Sequence, residues 1–164
     1  MNSSTRKLTT CAVVAALYAA LTLLLAPISY GNIQVRISEA LTVLPFFAPY
    51  TGAGLFVGCL IANLLSPFGI NLLDVVFGSL ATLLAAWLTA RCKSRWLAPL
   101  PPVLVNAVVI GGILAYTSTP EQFGASFALF GVQIALGQLA ACYLGGQALL
   151  YALDKSGLRR ILKD

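Results

Sequence analysis

This sequence predicts an all-α membrane protein with six transmembrane helices and both termini in the cytoplasm. Three observations carry that prediction. Hydrophobic residues fill 59% of the 164 positions and charged residues only 9%, a balance outside the range of soluble domains. The few charges sit at segment ends and leave uncharged runs over Leu8–Gln34, Ala40–Leu73, Val75–Ala90, Trp96–Pro120 and Gln122–Leu153, and a spanning helix needs roughly 20 such residues. With the N-terminus inside and six crossings, nine of the ten basic residues fall on the cytoplasmic side and only Arg36 does not, as the positive-inside rule requires. The whole chain, 1–164, reads as one integral membrane domain.

Helix 1 is expected over about 8–26, with Pro27 ending it. Arg6-Lys7 before an apolar run imitates a secretory leader, but Leu8–Ala26 is long enough for a retained span. Ala12, Ala16 and Ala20 recur every four residues along it. Such a small-xxx-small face serves either internal packing or the approach of another protein's helix. Ile28–Gln34 is a loop. The next apolar stretch, Ala40–Ser66, is too long for one untilted span, and Pro45, Pro49, Gly52 and Gly54 interrupt its middle. Two short helices are expected there, about 37–48 and 51–65, both under-length for a bilayer. Interrupted segments of that kind are tolerated where they are buried in protein or line a cavity. A single crossing in this region would also put Arg91, Lys93 and Arg95 outside. Ser66-Pro67-Phe68-Gly69 is a turn, helix 4 covers about 71–90, and Leu97–Pro102 is a connection. Helix 5 covers about 103–116, helix 6 about 124–153, and a basic tail follows Asp154.

Depth along these helices, at about 1.5 Å per residue, places Tyr30, Asn32, Gln34, Arg36, Glu39, Asn63, Asn71, Asp74, Tyr116, Thr117, Glu121 and Gln122 toward the outer surface. Gln133 falls near mid-depth. Asn106, Gln138 and Gln147 are polar exceptions in the inner half. An outer half rich in carboxylates, amides and aromatics suits capture of a polar solute from outside. Ionisable groups in such a setting are functional candidates by default. Glu39 either pairs with Arg36 three residues before it or meets a ligand, and the two roles are compatible. Asp74 has no cation within a helical turn, so it either caps helix 4 or faces the cavity. Asn71 and Gly78 share its helix face. Gln133 is either interhelical glue or a ligand group. Glu121, beside Pro120, reads as solvated, and the Phe123/Phe127/Phe130 stripe as core or lipid-facing.

Several function classes are excluded by what the sequence lacks. The net charge of +5 is spent on orientation, so no nucleic-acid partner is expected. There is no histidine, the commonest general base and metal ligand. Cys11, Cys59, Cys92 and Cys142 lack metal-type spacing. No phosphate-binding G-x-x-x-x-G-K-[S/T], H-E-x-x-H, G-x-S-x-G or C-x-x-C motif is present. An enzyme is not expected, nor a cofactor or metal, and the chain carries no visible means of using ATP. The alternative to a subunit powered by partners is a stand-alone secondary transporter with Asp74 or Glu39 as its proton-coupled carboxylate.

The stretch Gln34-Val35-Arg36-Ile37-Ser38-Glu39-Ala40-Leu41-Thr42-Val43-Leu44-Pro45 resembles the signature of the queuosine-precursor transporter family, QueT. Members of that family are taken as substrate-binding S components of energy-coupling factor (ECF) transporters. The similarity extends through most of the chain, including the alanine-spaced first helix, the short second and third helices and the Asn71–Asp74 opening of helix 4. The resemblance implies the six-helix S-component bundle, in the plasma membrane, with solute held near the outer face under the loop after helix 1. It also implies a transmembrane coupling subunit and two cytoplasmic ATPase subunits as partners, docked through Ala12, Ala16 and Ala20. The implied substrate is a 7-deazaguanine such as preQ1, preQ0 or queuine. Gln34, Arg36, Glu39, Asn71, Asp74, Tyr116 and Gln133 are the expected ligand-binding residues. A carboxylate can accept two bonds from the N1–H/2-amino edge, and an amide or arginine can answer the carbonyl.

Overall fold

The first helix is set by an unbroken apolar run with good helix formers. In the computed structural model, which describes residues 3–30 and 34–163, it is α1, Ser3–Leu24. A one-turn helix, Ala26–Ser29, follows with Pro27 in its first turn. Part of the expected Ile28–Gln34 loop, residues 31–33, lies outside the described residues. The chain then forms α2 (Ile37–Phe46), α3 (Thr51–Leu64), α4 (Asp74–Thr89), α5 (Leu100–Ser118), α6 (Pro120–Lys155) and α7 (Leu158–Lys163). No strand occurs among the described residues. By length and composition α1, α5 and α6 can each cross a membrane; α2, α3 and α4 are shorter apolar helices.

Helix 1, expected over 8–26, runs from Ser3 to Leu24, and three further differences from the sequence expectation have identifiable reasons. Helix 5 begins at Leu100, so Pro101 and Pro102 lie in its first turn rather than in a linker; proline loses nothing there because first-turn N–H groups have no helical acceptor. Helix 6 takes in Pro120–Gln122 as a tight opening turn and continues to Lys155. The basic tail then folds back as α7 after Gly157, whose φ of 72° is the left-handed conformation that ends helices.

Three helices are wound unusually. All of α2 is a 3-10 helix with Pro45 inside it. At about 2.0 Å of rise per residue, ten residues so wound reach about 20 Å, against about 15 Å as α-helix, so a short segment goes further. The helix α6 widens to π geometry over Ala140–Gly146, as α4 does over Asp74–Gly78. These windings meet in the core. A Cβ on Gly145 would lie 2.8 Å from Ala40 Cβ, and one on Gly146 2.6 Å from Val43 Cγ1. Only bare backbone lets α6 lie this close to α2.

The same device joins α1 to α3. A Cβ on Gly54 would lie 2.5 Å from the Cys11 carbonyl oxygen and one on Gly58 2.7 Å from that of Ala15. The face of α1 that packs inward therefore carries Cys11, Ala15, Tyr18 and Ala19. Ala12, Ala16 and Ala20 are exposed, next to exposed Val13 and Leu17. Large apolar side chains such as Leu24, Leu72 and Leu144 cover the outside, while the interior holds alanine, threonine, serine and amides, as expected where lipid is the solvent.

The two ends of the bundle are chemically opposite. At one end Lys7 lies over the Tyr50 ring, Tyr50 donates to the Leu162 carbonyl at 3.1 Å, and Arg159 lies over Phe47. Asp154 there pairs with Arg159 at 3.0 Å and reaches Arg95 at 3.9 Å, and the Gln147 amide donates to the Arg95 carbonyl at 2.6 Å. The three basic groups near residues 6, 95 and 159 thus share one end. At the other end Tyr30 donates to the Ala62 carbonyl at 2.7 Å and packs against Phe68.

Candidate functional site

Below the Tyr30 end, buried polar residues of α1 through α5 form hydrogen-bonded sets around Glu39, Arg36 and Asn63, with Arg36 in electrostatic reach of both Glu39 and Asp74. Its base is α1. Tyr18, fully buried, donates from its hydroxyl to Glu39 Oε1 at 2.5 Å. One turn further, the Thr22 and Ser38 hydroxyls share a hydrogen bond at 2.7 Å. These two contacts fasten the start of α2 to α1. Glu39 is then held from the other side. Its carbonyl accepts from Thr42 Oγ1 at 2.6 Å and from the Cys142 thiol at 3.5 Å, and that thiol also lies 3.5 Å from Gln138 Oε1. Asn106, buried on α5, lies beside the same carboxylate but stops short of a hydrogen bond to Oε2, which has no partner.

Arg36 precedes α2 with extended backbone, φ −84° and ψ 102°. Arg36 therefore lies outside the helix that carries Glu39. The two do not form an ion pair: the ion pairs among the described residues are those of Asp154 with Arg95 and Arg159. The guanidinium instead donates from Nε to the Ser29 carbonyl at 3.1 Å and lies 5.1 Å from the centre of the Tyr30 ring. It remains within electrostatic reach of both Glu39 and Asp74, and Nη2 has no partner. Gln34, two residues earlier, is buried with φ 45°, a left-handed conformation costing a non-glycine residue about 1–2 kcal/mol.

The third wall comes from α3 and α4. Asn63 donates to the Asp74 carbonyl at 2.9 Å and toward the Cys59 sulfur at 3.5 Å, leaving Oδ1 free of partners. Asp74 is partly buried in the π-wound first turn of α4, and its Oδ1 has no partner. Gly78 packs into this corner, where a Cβ would lie 3.3 Å from Asn63 Nδ2, 3.4 Å from Ile110 Cδ1 and 3.9 Å from Asp74 Oδ1. Asn71 does not join the group; its Oδ1 accepts from the Leu73 N–H at 3.0 Å and opens the helix.

The sum is a set of buried polar atoms without protein partners, Ser29 Oγ, Arg36 Nη2, Glu39 Oε2, Asn63 Oδ1, Asp74 Oδ1 and Ser79 Oγ; Gln133 Oε1 on α6, and Arg95 Nε and Gln147 Oε1 at the basic end, also lack partners. Native interiors leave few such atoms, and each costs about 1–3 kcal/mol, more when charged. A polar ligand that bonded to them would recover that cost. The unpartnered atoms are mostly acceptors with one guanidinium donor, so the group suits a ligand rich in N–H.

The sequence-derived residues divide accordingly. Gln34, Arg36, Glu39 and Asp74 are brought into or beside the group. Gln133 is partly buried on α6, next to Ile134, which packs with Ile110 and Ile113. Tyr116 is 64% exposed on α5, away from the buried residues. Sequence reading missed Tyr18, Ser79 and the closeness of Asn106. The signal for Tyr18 was its position four residues before Thr22 on one helix face; Asn106 was set too deep because helix 5 starts earlier than its prolines suggested.

A family model described as QueT transporter matches residues 8–155 of this chain. The Queuosine precursor transporter QueT of Lactococcus lactis subsp. cremoris (strain MG1363) is 34% identical over 169 residues, an alignment that covers 96% of each chain. No solved structure matches the chain.

Proposed function

This chain belongs to the QueT transporter family, and we propose that within this family's transport role it is the solute-capturing subunit of an ECF-type importer. It is a multi-pass plasma-membrane protein. In our reading six segments cross the bilayer, the basic end with both termini is cytoplasmic, and the Arg36–Glu39–Asp74 group faces the exterior half. The solute is a queuosine precursor of the 7-deazaguanine class: preQ1, which carries a 7-aminomethyl group, preQ0, or queuine. The lack of any nucleotide-binding motif supports dependence on a transmembrane coupling subunit and two cytoplasmic ATPases. The exposed Ala12/Ala16/Ala20 face of α1 supports docking of that coupling subunit, because small side chains allow close helix approach.

One observation carries the solute reading: acceptor atoms of Glu39, Asp74 and Asn63 and the Arg36 Nη2 donor lie buried without partners, with Arg36 in electrostatic reach of both carboxylates. A 7-deazaguanine supplies N1–H, 2-amino and ring N–H donors and one carbonyl acceptor, which answers that inventory. A thermal-shift series on the purified chain with preQ1, preQ0, queuine and guanine tests the reading. A melting temperature raised by at least one 7-deazaguanine more than by guanine supports it, and no shift with any of them overturns it. Vesicles holding the chain alone test the coupling. Retention of solute without accumulation is expected, whereas uptake driven by a pH gradient would point to the stand-alone, proton-coupled transporter.

A further inference from the structure

We infer that the two carboxylates divide the ligand between them. Asp74 reads the two-donor edge of the heterocycle, and Glu39 takes a cationic amine at a single point. This rests on the reading of the buried group as the precursor site and goes further by giving each acid one role.

The argument turns on how many oxygens each carboxylate has to offer. The N1–H and 2-amino donors of a guanine-like ring point the same way, and a cyclic pair with a carboxylate uses both of its oxygens. Glu39 cannot supply both, because Oε1 is engaged by the buried Tyr18 hydroxyl and only Oε2 is without a partner. Asn106 lies beside the same carboxylate, and the Glu39 carbonyl is pinned by Thr42 and Cys142. Swinging the side chain to present both oxygens would break the Tyr18 bond. Asp74 is in the opposite situation. No described residue bonds either oxygen of its carboxylate, and Oδ1 is buried without a partner.

Charge points the same way. As carboxylates, Glu39 and Asp74 outnumber the one guanidinium of the group, Arg36, by one negative charge. A buried excess charge is costly unless compensated, and an ammonium needs only one oxygen to compensate it. The Arg36 Nη2 donor is left for the ring carbonyl.

Ligand-atom deletions crossed with residue substitutions test the division by calorimetry on the purified full chain. The probes are 7-aminomethyl-7-deazaguanine, the same compound lacking the 2-amino group, and the same compound with methyl in place of aminomethyl. Asp74→Asn is expected to weaken the parent probe roughly 10–100-fold, the range of a lost charge-assisted bond, and the methyl probe by the same factor. Its effect on the probe lacking the 2-amino group should be several-fold smaller. Glu39→Gln should penalise both aminomethyl probes and leave the methyl probe within about threefold. Exchanged patterns, or equal penalties on all three, overturn the division while leaving the binding site intact. A wild-type chain that binds none of the probes overturns the site reading as well. Should Glu39→Gln not fold, the Asp74→Asn cycle decides alone: coupling to the aminomethyl group rather than the 2-amino group refutes the assignment.

Discussion

Tyr18→Phe removes one oxygen atom and nothing else from a fully buried position. The ring stays packed with Val14, Leu55 and Cys59, so no cavity larger than a hydroxyl forms. What disappears is the donor to Glu39 Oε1, and Oε2 already lacks a partner. The variant therefore leaves a buried carboxylate with neither oxygen bonded to a side chain, unless Asn106 moves onto it. Hydrogen bonds to charged groups contribute about 1.5–3 kcal/mol. For a chain of this size about 1 kcal/mol moves the melting temperature by roughly 2–4 °C, so a loss of about 3–12 °C is expected without ligand. A cationic amine has three donors and can take both freed oxygens, so saturating preQ1 should close at least half of that gap. Differential scanning fluorimetry of wild type and variant, with and without preQ1, measures both quantities. A deficit below 1 °C would mean that Tyr18 does not hold Glu39. A deficit that ligand leaves unchanged would mean that Glu39 does not face it.

Further tests address the packing, the docking face and the orientation. Gly146→Val should lose most of its folded yield, because its Cβ would lie 2.6 Å from Val43 Cγ1, while Gly124→Ala, with open space around it, should match wild type in size-exclusion profile. Ala16→Trp on the exposed face of α1 should leave the thermal shift with ligand unchanged within about 1 °C and abolish co-purification with the coupling subunit; retained co-purification would remove α1 from the docking surface. In whole cells, a membrane-impermeant maleimide should label Glu121→Cys but not Lys93→Cys in a background lacking the native cysteines, and the reverse pattern would invert the proposed orientation.

Much of this fold was legible because charge is rare in the chain and each instance carries information. Pro45, Pro49, Gly52 and Gly54 marked Ala40–Ser66 as two helices, and the structure places α2 and α3 within two residues of the expected bounds, with Pro49 between them and the other three inside them. The basic residues could be grouped by parity alone, and the contacts of Lys7, Arg95 and Arg159 bring them to one end. Winding was not legible. The 3-10 geometry of α2 and the π turn at Ala140–Gly146 arise where the two helices are pressed together at Gly145 and Gly146, a tertiary effect with no local signature. The Arg36–Glu39 spacing suggested a pair because three residues on an α-helix share a face. Arg36 lies outside the helix, so that periodicity does not apply to it. Tyr18 escaped notice for a related reason. Which face of an apolar helix turns inward depends on the neighbours it meets, here Gly54 and Gly58 against α1.

The most direct measurement is the structure of the purified chain with preQ1 bound. The account predicts the heterocycle between α2 and α4, with Arg36, Glu39 and Asp74 all within hydrogen-bond distance of it and the Tyr18–Glu39 bond intact. Ligand at the basic end near Arg6 and Arg159, or in contact with none of those three side chains, would contradict it.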